Sequence, residues 1–588
     1  MASGHWPYYL KIDGELLKDA MISDLEIRQE LGEHSWCDAE FRLLNQQRPP
    51  FESYLGKSLE FVVFDDVGTE TPIFEGFALE AKLEYQLHGE YIARIQGVTK
   101  SYLLQLTPEE DYFLKMNLQE VAQKVVSEDG LELQFNAAGE TARLSYVQWE
   151  ETDFDFIKRI ADDQGCFVRP TAKGIEIRKG FQDIGQTLQW HDEYGLLKFV
   201  LEGKLGQPSF DGASYDPRTM QSKTFNKVKK SPDFFPETAA GIVGAVNSQS
   251  EQLPSDRLVF DARAPKLDMY QALLEKESAR SIGSKIVGRG LSRDHHLKPG
   301  DQVHLAGFSF DAEGDYGLIK VTHRYDLTNG YRNEFTVTPW KDFTMAQPPA
   351  AKRLNGVVPA RVMAHNDPRG MGRIQIRYDW MQDGATAWAR MVTPHAGGSR
   401  GFMFMPEIGD EVLVAFEYGD PERPYIIGAL WNAVDIAPRQ GFWESAGLMS
   451  AAIGNNGSSQ AVQIPGDIAG NDIKRIVTKS GHRIQFVDVA NKESIVVATP
   501  GGQSVKMIDS CDETGGRKML CLDTPGDIFI NAGGRVHIQC QYFSRQVGGS
   551  GSASATATPH KQQPQKRQPS EQKDKPANGA GFKMKPDF

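Results

Sequence analysis

Alternation of apolar and polar residues dominates the first hundred positions. Tyr9-Leu10-Lys11-Ile12 before Asp13-Gly14, then Leu59-Glu60-Phe61-Val62-Val63-Phe64, then Phe74-Glu75-Gly76-Phe77 carry period-two stretches broken by glycine or Asp-Asp. That pattern reads as half-buried strands and predicts a small barrel or sandwich. The period then changes. Leu118, Val121, Ala122 and Val125 recur at helical spacing up to Gly130, and Asn117 stands three residues before Glu120, as a capping box requires. Thr152 with Asp155 opens a second helix, whose Phe156, Ile157, Ile160 and Ala161 form one face before Gly165. A strand-rich region from about 170 to 340 holds one more helical stretch near Lys266 to Ser281, so the first 340 residues read as α+β with β dominant.

Residues 341 to 355, with Ala-Gln-Pro-Pro-Ala-Ala-Lys-Arg, read as a linker. A compact strand-rich block follows from Gly356 to about Asn432, and residues 433 to 472 thin to Gly, Ala, Ser and Asn. From Ile473 to about Tyr542 the pattern is new: Ile484/Phe486, Ile495/Val497, Val505/Met507, Leu520/Leu522, Ile528/Ile530 and Val536/Ile538, separated by Gly, Asn and Asp turns. Such a ribbon exposes one apolar stripe and has no helix or second sheet nearby in sequence to cover it. Other copies of the chain are expected to supply the missing faces. In residues 549 to 588, seven basic residues (Lys561, Lys566, Arg567, Lys573, Lys575, Lys583, Lys585) outnumber Glu571, Asp574 and Asp587, in a Ser/Gly/Gln/Pro background. This composition is that of a tail that is disordered or ordered only on a partner.

Composition narrows the class. At 588 residues the chain is about four times the ~150-residue domain prior, so one compact domain is excluded. Hydrophobic residues at 40% and charged residues at 24% exclude collagen-like, coiled-coil and wholly disordered chains. A formal net charge of −13 repels a phosphate backbone and argues against nucleic-acid partners. Cys37, Cys166, Cys511, Cys521 and Cys540 are scattered without a CxxC, which fits neither a disulfide framework nor a zinc site. That cysteine usage makes a reducing cytoplasm the expected assembly compartment, and because the N-terminal residues lack the basic and apolar regions of a secretory signal peptide, any exit from the cell is expected by a route other than general secretion.

Several stretches resemble the VgrG family, the trimeric spikes of type VI secretion systems, and their relatives in phage tails and extracellular contractile injection systems. The likeness is densest in Gly356-Val357-Val358-Pro359-Ala360-Arg361-Val362, Asp367-Pro368-Arg369-Gly370-Met371-Gly372-Arg373-Ile374-Gln375-Ile376, Trp388-Ala389-Arg390, Pro406-Glu407-Ile408-Gly409-Asp410-Glu411-Val412 and Gly419-Asp420-Pro421-Glu422-Arg423-Pro424. In that family these words belong to the OB-fold that links hub to spike. Ile473 to Ile484 resembles the family's entry into its β-helix, and Asp527 to Ile538 its octad repeat. Glu151-Thr152-Asp153-Phe154-Asp155-Phe156-Ile157 is the clearest such word in the N-terminal third.

The resemblance implies a mainly β chain: a tail-hub-like region at 1–345 with two β-barrels and an α+β insert, an OB-fold at 350–432, a connector at 433–472, a triple-stranded β-helix needle formed by a homotrimer at 473–545, and a flexible or partner-docked tail at 546–588. The needle core would be Ile484, Phe486, Ile495, Val497, Ile528, Ile530, Val536 and Ile538, with Lys561, Lys566, Arg567, Lys583, Lys585 and Phe588 docking a PAAR-type tip protein or effector cargo. Implied partners are a hexameric inner tube protein, baseplate proteins and, transiently, a target membrane. The function would be mechanical, with no cofactor or metal and no enzymatic activity. Two alternatives are a tail-associated cell-wall hydrolase, against which the apolar-poor stretch 433–472 argues, and an OB-fold module binding oligonucleotide or oligosaccharide.

Candidate chemistry is sparse. Gly397-Gly398-Ser399-Arg400-Gly401 matches the GxSxG nucleophile elbow formally, but that motif needs a strand before it and a helix after it, and Phe402-Met403-Phe404-Met405 reads as strand. His295-His296 lies in a polar turn before a strand, where adjacent histidines would point to opposite faces, and is expected to be solvated. His537 and Cys540 fall on opposite faces of a presumed strand, so a packed thiol is expected rather than a metal site. Asp162-Asp163 reads as a solvated helix end. No HExxH, Walker A or helix-opening GxGxxG occurs.

Two outcomes follow. Ile530→Asp is expected to prevent needle assembly, and trimers of normal yield and stability from that variant would refute the assignment. Deleting residues 549–588 should leave trimers intact but lose tip or cargo in co-purification; unchanged recovery of those partners would remove the docking role from the tail.

Overall fold

The computed structural model describes residues 8–434 and 472–542, apart from 18–19, 44–53, 65–69, 86–90, 138–144, 193–194, 217–219, 236–237, 259–266, 309–311, 342–349, 382, 492 and 510–517. The tail residues Lys561, Lys566, Arg567, Lys583, Lys585 and Phe588, and the connector 435–471, lie outside the described residues. The chain divides into two units, Met1–Ala437 and Pro438–Phe588.

Two barrel-like cores occupy the hub, and they are continuous with each other rather than separate. The first, with Leu10, Ile27, Phe41, Phe61, Phe74 and Ile95 inside, is wrapped by strands between Tyr8 and Val98. The second encloses Leu188, Val303, Leu305, Leu318, Phe335 and Val337. Its ring runs through Gln182–Gln189, Asp301–Ala306, Gly314–Asp326, Gly330–Thr338, Ile286–Ser292 and Leu196–Gly203, and a bridge from Leu196 to Trp190 returns to the start. The long strand Gly314–Asp326 is the seam. Its first residues pair with Gln302 to Leu305, and Lys320 to Asp326 pair antiparallel with Glu30 to Asp24 of the first barrel, giving one thirteen-stranded sheet.

Between the barrels lies the α+β insert. Helix α1 (Leu118–Glu128) starts with the capping box read from sequence: the Glu120 N–H donates to Asn117 Oδ1 at 2.9 Å and the Asn117 N–H donates to Glu120 Oε2 at 2.8 Å. Helix α2 (Asp153–Asp163) is capped by Thr152, whose hydroxyl accepts from the Asp155 N–H at 3.3 Å. The apolar faces of both helices close over Phe113, Tyr146, Ile175 and Ile177. Helix α3 (Ala240–Ser250) is a second helix in a region where the sequence pattern predicts only one. It has two glycines and no start signal, since its N-cap Ala239 has no capping side chain and sits at φ 52°. Helix α4 (Leu267–Gly283) is the expected one.

The OB barrel has five strands ordered Gln375–Tyr378, Val357–Ala364, Glu411–Phe416, Pro424–Ala429, Arg390–Met391. Reciprocal bonds between Ile374 and Ala389, at 2.9 and 2.8 Å, join the two outer strands and close the ring. The word Asp367 to Arg373 is a turn built around one carboxylate. Asp367 accepts from the backbone N–H groups of Arg369 and Met371 and from the Arg373 guanidinium at 2.6 and 2.9 Å, while Gly370 and Gly372 take positive φ. The Arg373 hydrogen bonds, despite some burial, hold the Asp367 carboxyl far below its ordinary range.

Two buried histidines make the hub acid-sensitive. The His323 Nδ1 accepts from the Tyr331 hydroxyl at 2.6 Å, and its Nε2 lies 3.3 Å from Gln29 Oε1, a neutral tautomer between neutral partners. Burial lowers His323 to about 3 and His34 to about 4. Between pH 6.5 and these values the unfolded chain takes up the proton and the folded chain does not, so stability is lost as pH falls through 6.5. Each such proton is worth about 1.4 kcal/mol per pH unit. The urea stability of His323→Gln is expected to fall with pH by one proton less steeply than that of the parent between pH 6.5 and 4. Parallel profiles would contradict the buried neutral histidine.

Candidate functional site

The C-terminal unit is a meander. Strands Ile473–Val477, Arg483–Val487, Ser494–Ala498, Ser504–Ile508 and Met519–Asp523 pair in sequence order, each antiparallel to the next. Short turns set this pairing. The Thr478 N–H bonds the His482 carbonyl with Gly481 at φ 88°, and Thr499 does the same to Gln503 with Gly502 at φ 86°.

Registration decides which side chains share a face. Ile476 lies opposite Ile484, Ile484 opposite Val497, Phe486 opposite Ile495, Ile495 opposite Met507, Val497 opposite Val505, Val505 opposite Leu522 and Met507 opposite Leu520. Directly opposed residues project to one side, so Ile476, Ile484, Phe486, Ile495, Val497, Val505, Met507, Leu520 and Leu522 form a single apolar face, with Lys474 at its margin opposite Phe486. The other face is mixed: Arg475, Arg483, Gln485, Lys506 and Cys521 share it with Ile473, Val477, Val487, Val496, Ile508 and Met519, and Gln485 and Val487 are buried there. Among the described residues nothing covers the apolar face: Phe486 is 42% exposed and Leu520 68%. Monomeric proteins rarely leave an apolar patch of this kind open to water.

Of the residues picked from sequence, Ile484, Phe486, Ile495 and Val497 come together on this face. Ile528, Ile530, Val536 and Ile538 do not join them: they are exposed and belong to no strand, because the ladder ends at Asp523. The strands also differ from the β-helix reading in finding hydrogen-bond partners inside the chain, since hairpin turns of a few residues bring neighbouring strands together locally. Ile476, Val505, Met507, Leu520 and Leu522 complete the face, and their signal was the same alternation.

The other candidates resolve simply. Gly397 to Gly401 is a two-stranded hairpin, Ala396–Gly397 with Arg400–Gly401, with Ser399 at φ 56° in its turn, not the strand-to-helix elbow of a nucleophile. His295 and His296 stand on the expected turn, but only His296 is exposed: His295 is buried, and the two rings lie 4.0 Å apart, tilted by 35°. With Asp294 they bring three potential ligands together. The carboxylate is already engaged: its Oδ1 accepts from the His296 N–H at 2.9 Å and lies 3.0 Å from the His296 ring, and its Oδ2 accepts from Gln186. Asp294 is therefore kept below its ordinary range: burial pushes it up, but the His296 hydrogen bonds outweigh that. His537 and Cys540 are exposed in the single chain and lie outside any strand. Asp162 is not a solvated helix end either; it is buried and paired with Lys276 at 3.0 Å and Arg280 at 2.5 Å of α4.

Comparison with known proteins agrees with this architecture. Residues 38–329 match the phage tail baseplate hub family, and residues 358–431 match the type VI secretion system/phage-baseplate injector OB domain. The type VI secretion system spike protein VgrG4b of Pseudomonas aeruginosa is 23% identical over 335 residues, covering 50% of this chain and 40% of that protein. The actin cross-linking toxin VgrG1 of Vibrio cholerae is 23% identical over 329 residues, 50% of this chain and 28% of that protein. The matched region thus spans less than half the length of these relatives. A Francisella PdpA-VgrG complex in its lidded form shares the fold with a TM-score of 0.54 at 10% identity, over 88% of this chain and 80% of that one. By its hub, its injector OB domain and these relatives, the chain belongs to the VgrG family of hub and spike proteins.

Proposed function

We propose that the chain is the homotrimeric, non-enzymatic spike and hub of a contractile injection machine. The observation that carries this reading is the apolar face from Ile476 to Leu522, which the described residues leave open. Three such sheets turned to one axis would bury it on all sides, as a three-sided shaft. Each large apolar side chain taken out of water contributes about 1.5–3 kcal/mol, a sum across three copies well above the cost of association. The OB barrel adds a second uncovered region, with Phe402, Phe404, Trp431 and Met403 exposed, the last at 83%; this suits a barrel that gathers three chains.

In this reading the hub seats on a hexameric inner tube among baseplate proteins. The shaft carries a PAAR-type tip or effector cargo at its C-terminal end and crosses a target membrane under force supplied by the machine. Assembly takes place in the bacterial cytoplasm and delivery is by contraction. The family membership supports the hub and spike role; the copy number, the puncturing and the cargo are the reading's own content.

Light scattering of the purified chain should give a species near three times 65.4 kDa. Phe486→Asp and Met507→Asp, which place a charge on the shared face, should each shift it to single chains while leaving the hub folded by circular dichroism. A parent protein that runs as one chain would overturn the proposal.

A further inference from the structure

The strand pair Pro108–Leu114 and Ser145–Thr152 of the insert serves two cores. Phe113 and Tyr146, opposite each other, lie in the core beneath α1 and α2, whereas the next pair, Tyr112 and Val147, is buried among Val362, Ile376, Val412 and Ile426 of the OB barrel. The OB core is therefore completed by hub residues. Polar and aromatic contacts follow the same path: the Ala387 N–H donates to the Tyr112 hydroxyl at 2.9 Å, and Trp149 meets Trp380 at 5.7 Å between ring centres.

One irregularity fixes this joint. The ladder is broken by a β-bulge between Trp149 and Glu151, with Glu150 at φ 47°, in the left-handed region that favours glycine. The bulge turns Glu151 inward. Its carboxylate, 6% exposed, accepts both from Arg159 of α2 at 3.0 and 3.1 Å and from the backbone N–H of Lys352 at 3.2 Å, on the segment that leads into the OB barrel. Arg159, equally buried, also donates to the Val147 carbonyl at 2.9 Å, and the Lys352 ammonium reaches the Glu150 carbonyl. One carboxylate thus ties the bulged strand, α2 and the OB lead-in.

We propose that the bulge at Glu150–Glu151 is a lock that makes insert and OB barrel one rigid body, so that force reaching the barrel passes to the hub through packed side chains and not through segment 342–349. Glu151 acts as a positioning residue, holding Arg159 and Lys352 in place. The inference concerns a single chain and does not depend on the copy number proposed above.

The test cuts the bypass. A specific protease site placed within 342–349 of the full chain is cleaved to completion, and hub and OB-bearing fragments are followed by size exclusion and by dissociation rate. They should remain together after cleavage. In the same cleaved background, Glu151→Gln, which keeps the shape but removes the charge that Arg159 faces, should speed dissociation on the order of tenfold or more, as loss of one partner of a buried charge pair does. Val147→Asp should do the same, with hydrogen exchange of the second barrel, residues 182–338, confirming that the hub is folded. Fragments of the parent that separate on cleavage would overturn the lock. So would a Glu151→Gln protein that dissociates at the parent rate, since the joint would then be held elsewhere.

Discussion

A chain cannot bury an apolar sheet face with nothing, and that constraint organises the C-terminal half of this molecule. The meander from Ile473 to Asp523 pairs its strands within itself, through consecutive hairpins, and leaves open ladders only at the outer edges of Ile473–Val477 and Met519–Asp523. The face itself is hydrophobic, with nine apolar side chains and Lys474 at its margin. What covers them is then selected by shape and hydrophobicity, since no ladder runs across the face itself to dictate a partner.

The N-terminal unit solves the opposite problem. It has many elements and must hold them in fixed relation. Shared parts do this: the strand Gly314–Asp326 belongs to both barrels, and Tyr112 and Val147 belong to insert and OB barrel at once. Buried ion pairs occupy the same seams, Asp162 with Lys276 and Arg280 between α2 and α4, and Glu151 with Arg159 beside the OB lead-in. A buried pair adds little net stability but is costly to break on one side, which suits seams that must not slip.

What could be read from sequence was local. The capping box of Asn117 and Glu120 spans three residues and was legible as such. The alternation from Ile484 to Leu522 showed that an apolar face exists, but alternation is the same whether a strand pairs within its chain or with a neighbour, so the hairpins were not legible. Ile528 to Ile538 repeat the pattern without a ladder, because periodicity cannot say where pairing ends. The seam joins Lys320 to Glu30 across most of the hub, beyond the reach of any sequence period. The Glu150 bulge depends on one backbone angle, and Asp162 on a helix more than a hundred residues away, so neither left a mark in residue type.

The hairpin order of the C-terminal sheet has a consequence for how the molecule comes into being. Contacts between sequence neighbours form fast, since little chain must be closed to make them. In the proposed trimer each copy would complete its sheet while alone, and association would be a collision between finished surfaces rather than a winding of unfolded strands around one another. The interval between those two events would leave nine apolar side chains open to water. During it the rate of meeting, set by how closely copies are synthesised, would compete with adhesion to any other greasy surface at hand.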